Sequence, residues 1–235
     1  KQHSTDADLI QEADYMLVYS AYEQGRPNAV ELLKDYLDVY PASRHADEVN
    51  FLIGSAHFGQ GEYQKAIFWF NESNIDMLSP EQQEAYCFRL AYSLLQTGDM
   101  EKARGYFARI EQIGTKYREA STYYVAYIDY ATGKYNNALV EFTRLKDLPD
   151  YKERSLYYIT QIYFIQNKYE KVISEGKELL ASYPDSENNS EVYRIMGNAY
   201  YHLGNEDQAI NMLSKYVSST DSPLRGDLYI LGVCY

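Results

Sequence analysis

Small and apolar residues recur along the whole chain at positions i, i+4 and i+7, one face of a helix with 3.6 residues per turn. Tyr193, Gly197 and Tyr200 show the spacing, and Ala126 and Asp129 fall in the same columns in another segment. The helical pattern is interrupted at Gly25, Gly61, Gly98, Gly133, Asn167 and Gly204, in steps of 36, 37, 35, 34 and 37 residues. Gly and Asn are the residues that best tolerate the left-handed conformation at a helix end, so each interruption predicts the stop of a first helix. About fourteen residues further on, a second helix is predicted to end at Tyr40-Pro41, Ser79-Pro80, Leu148-Pro149, Tyr183-Pro184 or Ser222-Pro223, because the residue before proline leaves helical geometry. Pro27 falls near the start of a second helix, where its missing N–H is harmless. A unit of about 35 residues with two helices is a helix-pair repeat.

The turns share a motif. Gly61-Glu62-Tyr63-Gln64-Lys65-Ala66 returns as Gly98-Asp99-Met100-Glu101-Lys102-Ala103, Gly133-Lys134-Tyr135-Asn136-Asn137-Ala138 and Gly204-Asn205-Glu206-Asp207-Gln208-Ala209, with Asn167-Lys168-Tyr169-Glu170-Lys171-Val172 as a variant and Gly25-Arg26-Pro27-Asn28-Ala29 one residue shorter. Aligned on the alanine, the pattern resembles the tetratricopeptide repeat through Gly54, Ala66 and Phe70, through Ala91, Ala103 and Phe107, through Ala126, Ala138 and Phe142, and through Tyr193, Gly197, Tyr200, Ala209 and Leu213. The fifth copy departs from it with Thr160, Val172 and Gly176. The resemblance implies an all-α fold, a right-handed superhelical α-solenoid of helix-turn-helix units with six full repeats and the start of a seventh at Leu228, Leu231, Gly232 and Tyr235. The expected organisation is a flexible segment 1–7 followed by a single solenoid over 8–235, cut within the first helix of the seventh repeat.

A second stripe lies one residue past the first, about 100° around each first helix. It reads Tyr15, Tyr19 and Tyr22; Phe51 and Phe58; Phe88 and Tyr92; Tyr123, Tyr127 and Tyr130; Tyr157, Gln161 and Phe164; Arg194, Asn198 and Tyr201; then Tyr229. In solenoids of the kind this chain resembles, that stripe lines the concave groove where ligands bind, so all of these but Tyr229 are candidate ligand-binding residues. A sealed core is the competing reading. Tyrosine favours a partly open surface, because a buried hydroxyl needs a partner that a half-exposed one finds in water or ligand. The family's carboxylate-gripping variant is not reproduced: Arg194 and Asn198 lie one turn apart, but Ile230 stands where a polar partner is expected.

Composition narrows the classes. The chain has 235 residues, 27 of them tyrosine, and a net charge of −12 from 22 basic and 34 acidic residues. That balance opposes sequence-independent binding of nucleic acid or anionic lipid. No stretch reaches the roughly 18 apolar residues of a membrane span, so direct membrane insertion by this chain is not expected. Two cysteines, Cys87 and Cys234, and four histidines supply neither a disulfide framework nor a metal site, and both cysteines read as small buried residues. No cofactor and no metal are expected. Phosphate loops, dinucleotide fingerprints, zinc-protease and nucleophile-elbow motifs are absent, which argues against an enzyme. His57 reads as a hydrogen-bonded core histidine, and Asp129 as a buried carboxylate satisfied locally or set at a polar point of the groove. Arg225-Gly226-Asp227 reads as the start of a helix.

The junction Tyr40-Pro41-Ala42-Ser43-Arg44-His45-Ala46-Asp47-Glu48, partly echoed at Tyr183-Pro184-Asp185-Ser186, is similar to bacterial cell-envelope repeat proteins of the outer-membrane assembly lipoprotein and TolA-binding type. This implies a periplasmic or outer-membrane-attached scaffold, with a cytoplasmic location as the alternative. The leading expectation is a non-enzymatic module that holds a peptide or protein segment in a tyrosine-rich concave groove. Two rivals are a glycan-binding solenoid, with rings stacking on sugars, and a homo-oligomer that stacks through its uncapped last repeat.

Overall fold

The computed structural model describes the backbone of residues 2–235 and the side chains from residue 7 on. Thirteen α-helices and one short 3-10 turn account for the ordered elements, with no strand among the described residues. In chain order the helices are α1 (Gln2–Glu23), α2 (Ala29–Val39), α3 (Ala46–Gly59), α4 (Tyr63–Asn71), α5 (Pro80–Gln96), α6 (Met100–Ile113), α7 (Arg118–Ala131), α8 (Tyr135–Leu145), α9 (Pro149–Ile165), α10 (Tyr169–Ser182), α11 (Asn189–His202), α12 (Glu206–Ser218) and α13 (Arg225–Cys234). Odd-numbered helices are the predicted first helices and even-numbered ones the second. The segment 1–7, expected to be flexible, is helical from Gln2 on, and Lys1 lies outside the described residues.

Each pair is made by one backbone reversal. The glycines at 25, 61, 98, 133 and 204 have φ between 62 and 92°, and Asn167 has φ 56°, the only non-glycine residue with positive φ among those described. The N–H of Gly61 donates to the Phe58 carbonyl at 3.0 Å and that of Glu62 to the His57 carbonyl at 2.9 Å. This double closure satisfies carbonyls that the helix end leaves open. The same two bonds recur at all six turns, with Asn167 bonding to Phe164 and Lys168 to Tyr163.

Once reversed, the helices of a pair meet through small residues. Ala66, Ala103, Ala138 and Ala209 are fully buried, as are Phe70, Phe107, Phe142 and Leu213 four residues later. A Cβ added at Gly54 would come within 2.8 Å of the Phe70 ring, and one at Gly197 within 2.6 Å of Leu213, so glycine sets the closest approach of α3 to α4 and of α11 to α12. The divergent fifth repeat uses its exception productively: Gly176 leaves the space that Met196 of the next repeat fills. Its Thr160 is fully buried and donates to the Leu156 carbonyl at 2.7 Å.

The chain divides into two compact units, Lys1–Ser121 and Thr122–Tyr235, with the division inside α7. In the first, α1 to α6 stack pair on pair, α2 against α3 and α4 against α5, and the first helices α3 and α5 also touch. In the second, α9 to α12 stack likewise and the first helices α9, α11 and α13 touch in series.

At four junctions successive first helices are further tied by a glutamate of the earlier one. Glu12 is 2.9 Å from the His45 ring at the N-terminus of α3. Glu48 accepts from the Gln82 amide in the first turn of α5 at 2.6 Å. Glu84, 7% exposed, accepts from the Tyr117 backbone N–H just before α7 at 2.8 Å. Glu153 accepts from the Ser186 hydroxyl ahead of α11 at 2.5 Å. Each reaches a partner 33 or 34 residues away beside the start of the next first helix, where open N–H groups and the helix dipole favour negative charge. Gly114 is required beside Glu84, because a Cβ there would overlap the carboxyl group.

His57 and Asp129, 6% and 1% exposed, occupy the core column as expected. The His57 ring bonds through Nδ1 to Glu62 at 2.6 Å, and the Asp129 carboxylate lies 4.0 Å from the Lys134 ammonium. Both cysteines are buried, and burial pushes the Cys87 thiol up to about 11.

Two outcomes test this architecture. Gly61→Val forces a β-branched residue into the left-handed region and is expected to lower unfolding stability by about 1–2 kcal/mol in chemical denaturation, whereas Asn167→Gly changes it by less than about 1 kcal/mol. Glu84→Ala removes the acceptor from the part-buried Tyr117 N–H and is expected to cost about 1–2 kcal/mol in the same measurement.

Candidate functional site

In the first unit the stripe is graded from sealed to half-open. Tyr15 is 6% exposed; its hydroxyl donates to Glu48 at 2.6 Å and its ring stacks on His45 at 3.7 Å, so this tyrosine serves the joint between repeats. Tyr19 and Tyr22, one and two turns further along α1, are half-buried. Phe51 is 4% exposed and forms a floor. Phe58 and Tyr92 are half-buried and meet edge to face at 5.8 Å, with Tyr63 packed on both, while Phe88 stacks on Tyr117 at 4.5 Å.

Between α1, α3 and α5 these residues enclose a depression of about 200 Å³, with Tyr19, Tyr22 and Phe51 on its walls and Arg89 of α5 at one side. The Arg89 guanidinium lies over the Phe51 ring, 5.6 Å from its centre. Burial pushes the Tyr22 hydroxyl above its ordinary pKa, and Arg89 pulls it the other way. Arg89 lies one position outside the stripe, and its only signal in the sequence is a cation directly after Phe88.

In the second unit, Tyr123, Tyr127 and Tyr130 of α7 and Tyr157 and Phe164 of α9 are half-buried. At their centre stands Tyr158, which lies outside the expected stripe. Its ring stacks on Phe142 at 4.8 Å and lies 5.0 Å from Tyr130, 6.0 Å from Tyr127 and 6.5 Å from Tyr123. The stripe on α7 is thus backed by a tyrosine of α9.

Further along, the expected polar positions are already occupied. The Arg194 guanidinium forks onto both Glu191 oxygens at 2.7 Å, lies over Phe164 at 5.8 Å, and stands 3.8 Å from Asp227. The paired Glu191 holds Arg194 above its ordinary pKa. Asn198, 7% exposed, donates to Asp227 Oδ1 at 2.8 Å, and Gln161, 9% exposed, donates to Glu191 at 3.3 Å. The structure therefore corrects two expectations. Gln161 and Asn198 are not open ligand donors, because their amides are spent within the chain. The next repeat does supply a polar partner, Asp227 in the first turn of α13, three residues before Ile230. Tyr201 is half-buried and Tyr229 is 72% exposed.

Among the described residues no group of three His, Cys, Asp or Glu side chains could hold a metal ion, and no helix is long and apolar enough to cross a membrane. What the surface offers is a series of ring faces and hydroxyl edges on consecutive first helices, with one accessible cation in the first unit.

Two family profiles, both described as tetratricopeptide repeat, match the chain, one at residues 15–75 and the other at 84–112 and 191–219. No curated protein sequence matches it. Among solved structures, a tetratricopeptide repeat protein from Parabacteroides merdae is similar with a TM-score of 0.60 at 16% identity, over 95% of this chain and 85% of that one. YrrB, described as a TPR protein with an unusual peptide-binding site, gives 0.65 at 11% identity over 87% of this chain and 97% of its own. MamA gives 0.60 at 16% identity over 71% and 94%. At these identities the likeness is one of fold, and it bears out the all-helical repeat solenoid.

The buried and half-buried phenols carry a pH signature. Burial raises the pKa of Tyr15, Tyr22, Tyr123, Tyr130, Tyr157 and Tyr158 in the folded chain. Their contribution to stability is fully present below the unfolded-state value of about 10 and is lost as pH rises above it. Spectrophotometric titration is expected to show a class of phenols that ionises only as the helical circular-dichroism signal collapses; complete ionisation with helicity intact would contradict the packing described.

Proposed function

With the chain built of tetratricopeptide repeats, we propose that it is a non-enzymatic interaction scaffold whose first-helix stripe holds a peptide or protein segment. The observation that carries this reading is the burial state of the stripe. Tyr19, Tyr22, Phe58, Tyr92, Tyr123, Tyr127, Tyr130, Tyr157 and Tyr201 are neither sealed nor fully solvated. Tyr123, Tyr127 and Tyr130 pack on Phe142 or Tyr158, and Phe58 and Tyr92 on Tyr63, which restrains their rings. Rigid aromatic faces with hydroxyl edges supply contact area at low entropic cost, the property that enriches tyrosine in binding surfaces. The peptide-binding site described for YrrB, a protein of the same fold, supports the assignment.

The location proposed is a bacterial cell envelope, periplasmic or attached to the outer membrane. It rests on the resemblance of the Tyr40–Glu48 junction to envelope assembly proteins and on the acidic chain, which avoids nucleic acid and anionic lipid.

Recovery of partners from bacterial envelope extract tests both statements. The full chain is expected to retain discrete proteins, and a Tyr123→Ala, Tyr127→Ala, Tyr130→Ala variant that keeps its helical signal is expected to lose at least about tenfold of them, as for the loss of clustered aromatic anchors. Equal recovery by the two chains would remove the groove assignment.

A further inference from the structure

We infer that the depression between α1, α3 and α5 receives a single carboxylate side chain of an extended, otherwise apolar peptide, with Arg89 as the residue that binds it; this rests on the scaffold reading above. Each unit has an arginine against a stripe phenylalanine, and the two are in different states. Arg194 is saturated, forked onto Glu191 and backed by Asp227. Arg89 is hydrogen-bonded to the Tyr22 hydroxyl but forms no ion pair within 4.0 Å among the described residues, although the chain carries 34 acidic residues against 22 basic ones.

A half-buried guanidinium has five N–H donors in a planar fork, and a single hydroxyl leaves most of them open to a ligand. Here the fork is oriented in advance. Phe51, itself 4% exposed, lies under the guanidinium plane, and the Tyr22 hydroxyl stands beside it. A carboxylate is the group that matches such a fork with two parallel hydrogen bonds.

The surroundings limit the rest of the ligand. Tyr19 and Tyr22 offer ring faces for apolar neighbours. Glu23 and Glu81 are exposed at the rim of the same depression, and the whole chain is at −12, so a second negative charge on the peptide is opposed both locally and at long range. The space of about 200 Å³ suits one side chain, below the size of a small-molecule site. The recognised element is therefore one Asp or Glu flanked by neutral, apolar residues.

Selection of a random phage-displayed peptide library on the full chain and on Arg89→Gln tests this. The wild-type chain is expected to enrich peptides with one acidic position between apolar ones, and Arg89→Gln, with an unchanged melting transition, is expected to lose that enrichment while still selecting aromatic-binding sequences. Replacing the acid of the best peptide by its amide is expected to weaken binding about tenfold to wild type and to leave binding to Arg89→Gln unchanged. Arg89→Lys is expected to recover only part of the affinity, since an ammonium neither forks nor stacks in the same way. Enriched peptides without an acidic position, or equal binding of acid and amide to wild type, would overturn the carboxylate assignment and leave the scaffold reading standing. Failure to enrich any peptide on either chain would remove both.

Discussion

Each layer of this protein depends on one backbone reversal, a left-handed residue that stops a first helix and folds the next helix back along it. Because the reversal closes with the same two hydrogen bonds every time, each pair is antiparallel in the same register. Identical register puts the alanine column of every second helix against the small residues of its first helix. It also places the residue after each core position on a common side of consecutive first helices. The candidate surface is a by-product of that repetition: within each unit, side chains about 35 residues apart in sequence become neighbours because the chain reverses in the same way at each turn.

A second constraint acts between pairs. No pair buries its apolar face alone, so successive pairs must stack, and stacking brings the open N-terminal N–H groups of one first helix beside the preceding one. Glu84 meets this need directly at the Tyr117 N–H, while Glu12, Glu48 and Glu153 bond side chains beside the start of the next first helix. At the sixth repeat the corresponding Glu191 turns instead to Arg194 and Gln161. That departure has a direct effect on the surface, since it neutralises the arginine and leaves the polar end of the second unit's groove internally satisfied. The same kind of side chain thus joins repeats in one place and closes a binding position in another.

The repeat boundaries, the left-handed turns, the alanine and aromatic core columns and the stop signals at proline were all legible in the residues. They depend on local conformational preference and on periodicity, which a single chain displays directly. Less legible were the states of individual polar side chains. Arg194 and Asn198 have the spacing of ligand donors, yet Asp227 approaches them from α13. Tyr15 has the same column position as Tyr123, but Glu48 captures its hydroxyl. Tyr158 sits one position away from the stripe and still forms its support. In each case the deciding partner comes from another helix, 16 to 33 residues away, and no pattern within one helix contains it.

What the sequence by itself determined is the architecture: helix pairs with a period near 35, their turns, their core and the side of each first helix that carries tyrosine. These follow from backbone sterics at glycine and asparagine and from the match of apolar spacing to the helical period, both properties of short segments. What only the tertiary structure decided is how much of that tyrosine side is available and which of its charges is unpaired. Exposure and pairing depend on distances between helices, where a few tenths of an ångström, set by Gly54, Gly114, Gly176 or Gly197, determine which side chain can reach which. Arg89 and Arg194 are indistinguishable as residues; one is without a carboxylate partner and the other is forked onto Glu191 because of what the neighbouring helices bring to them.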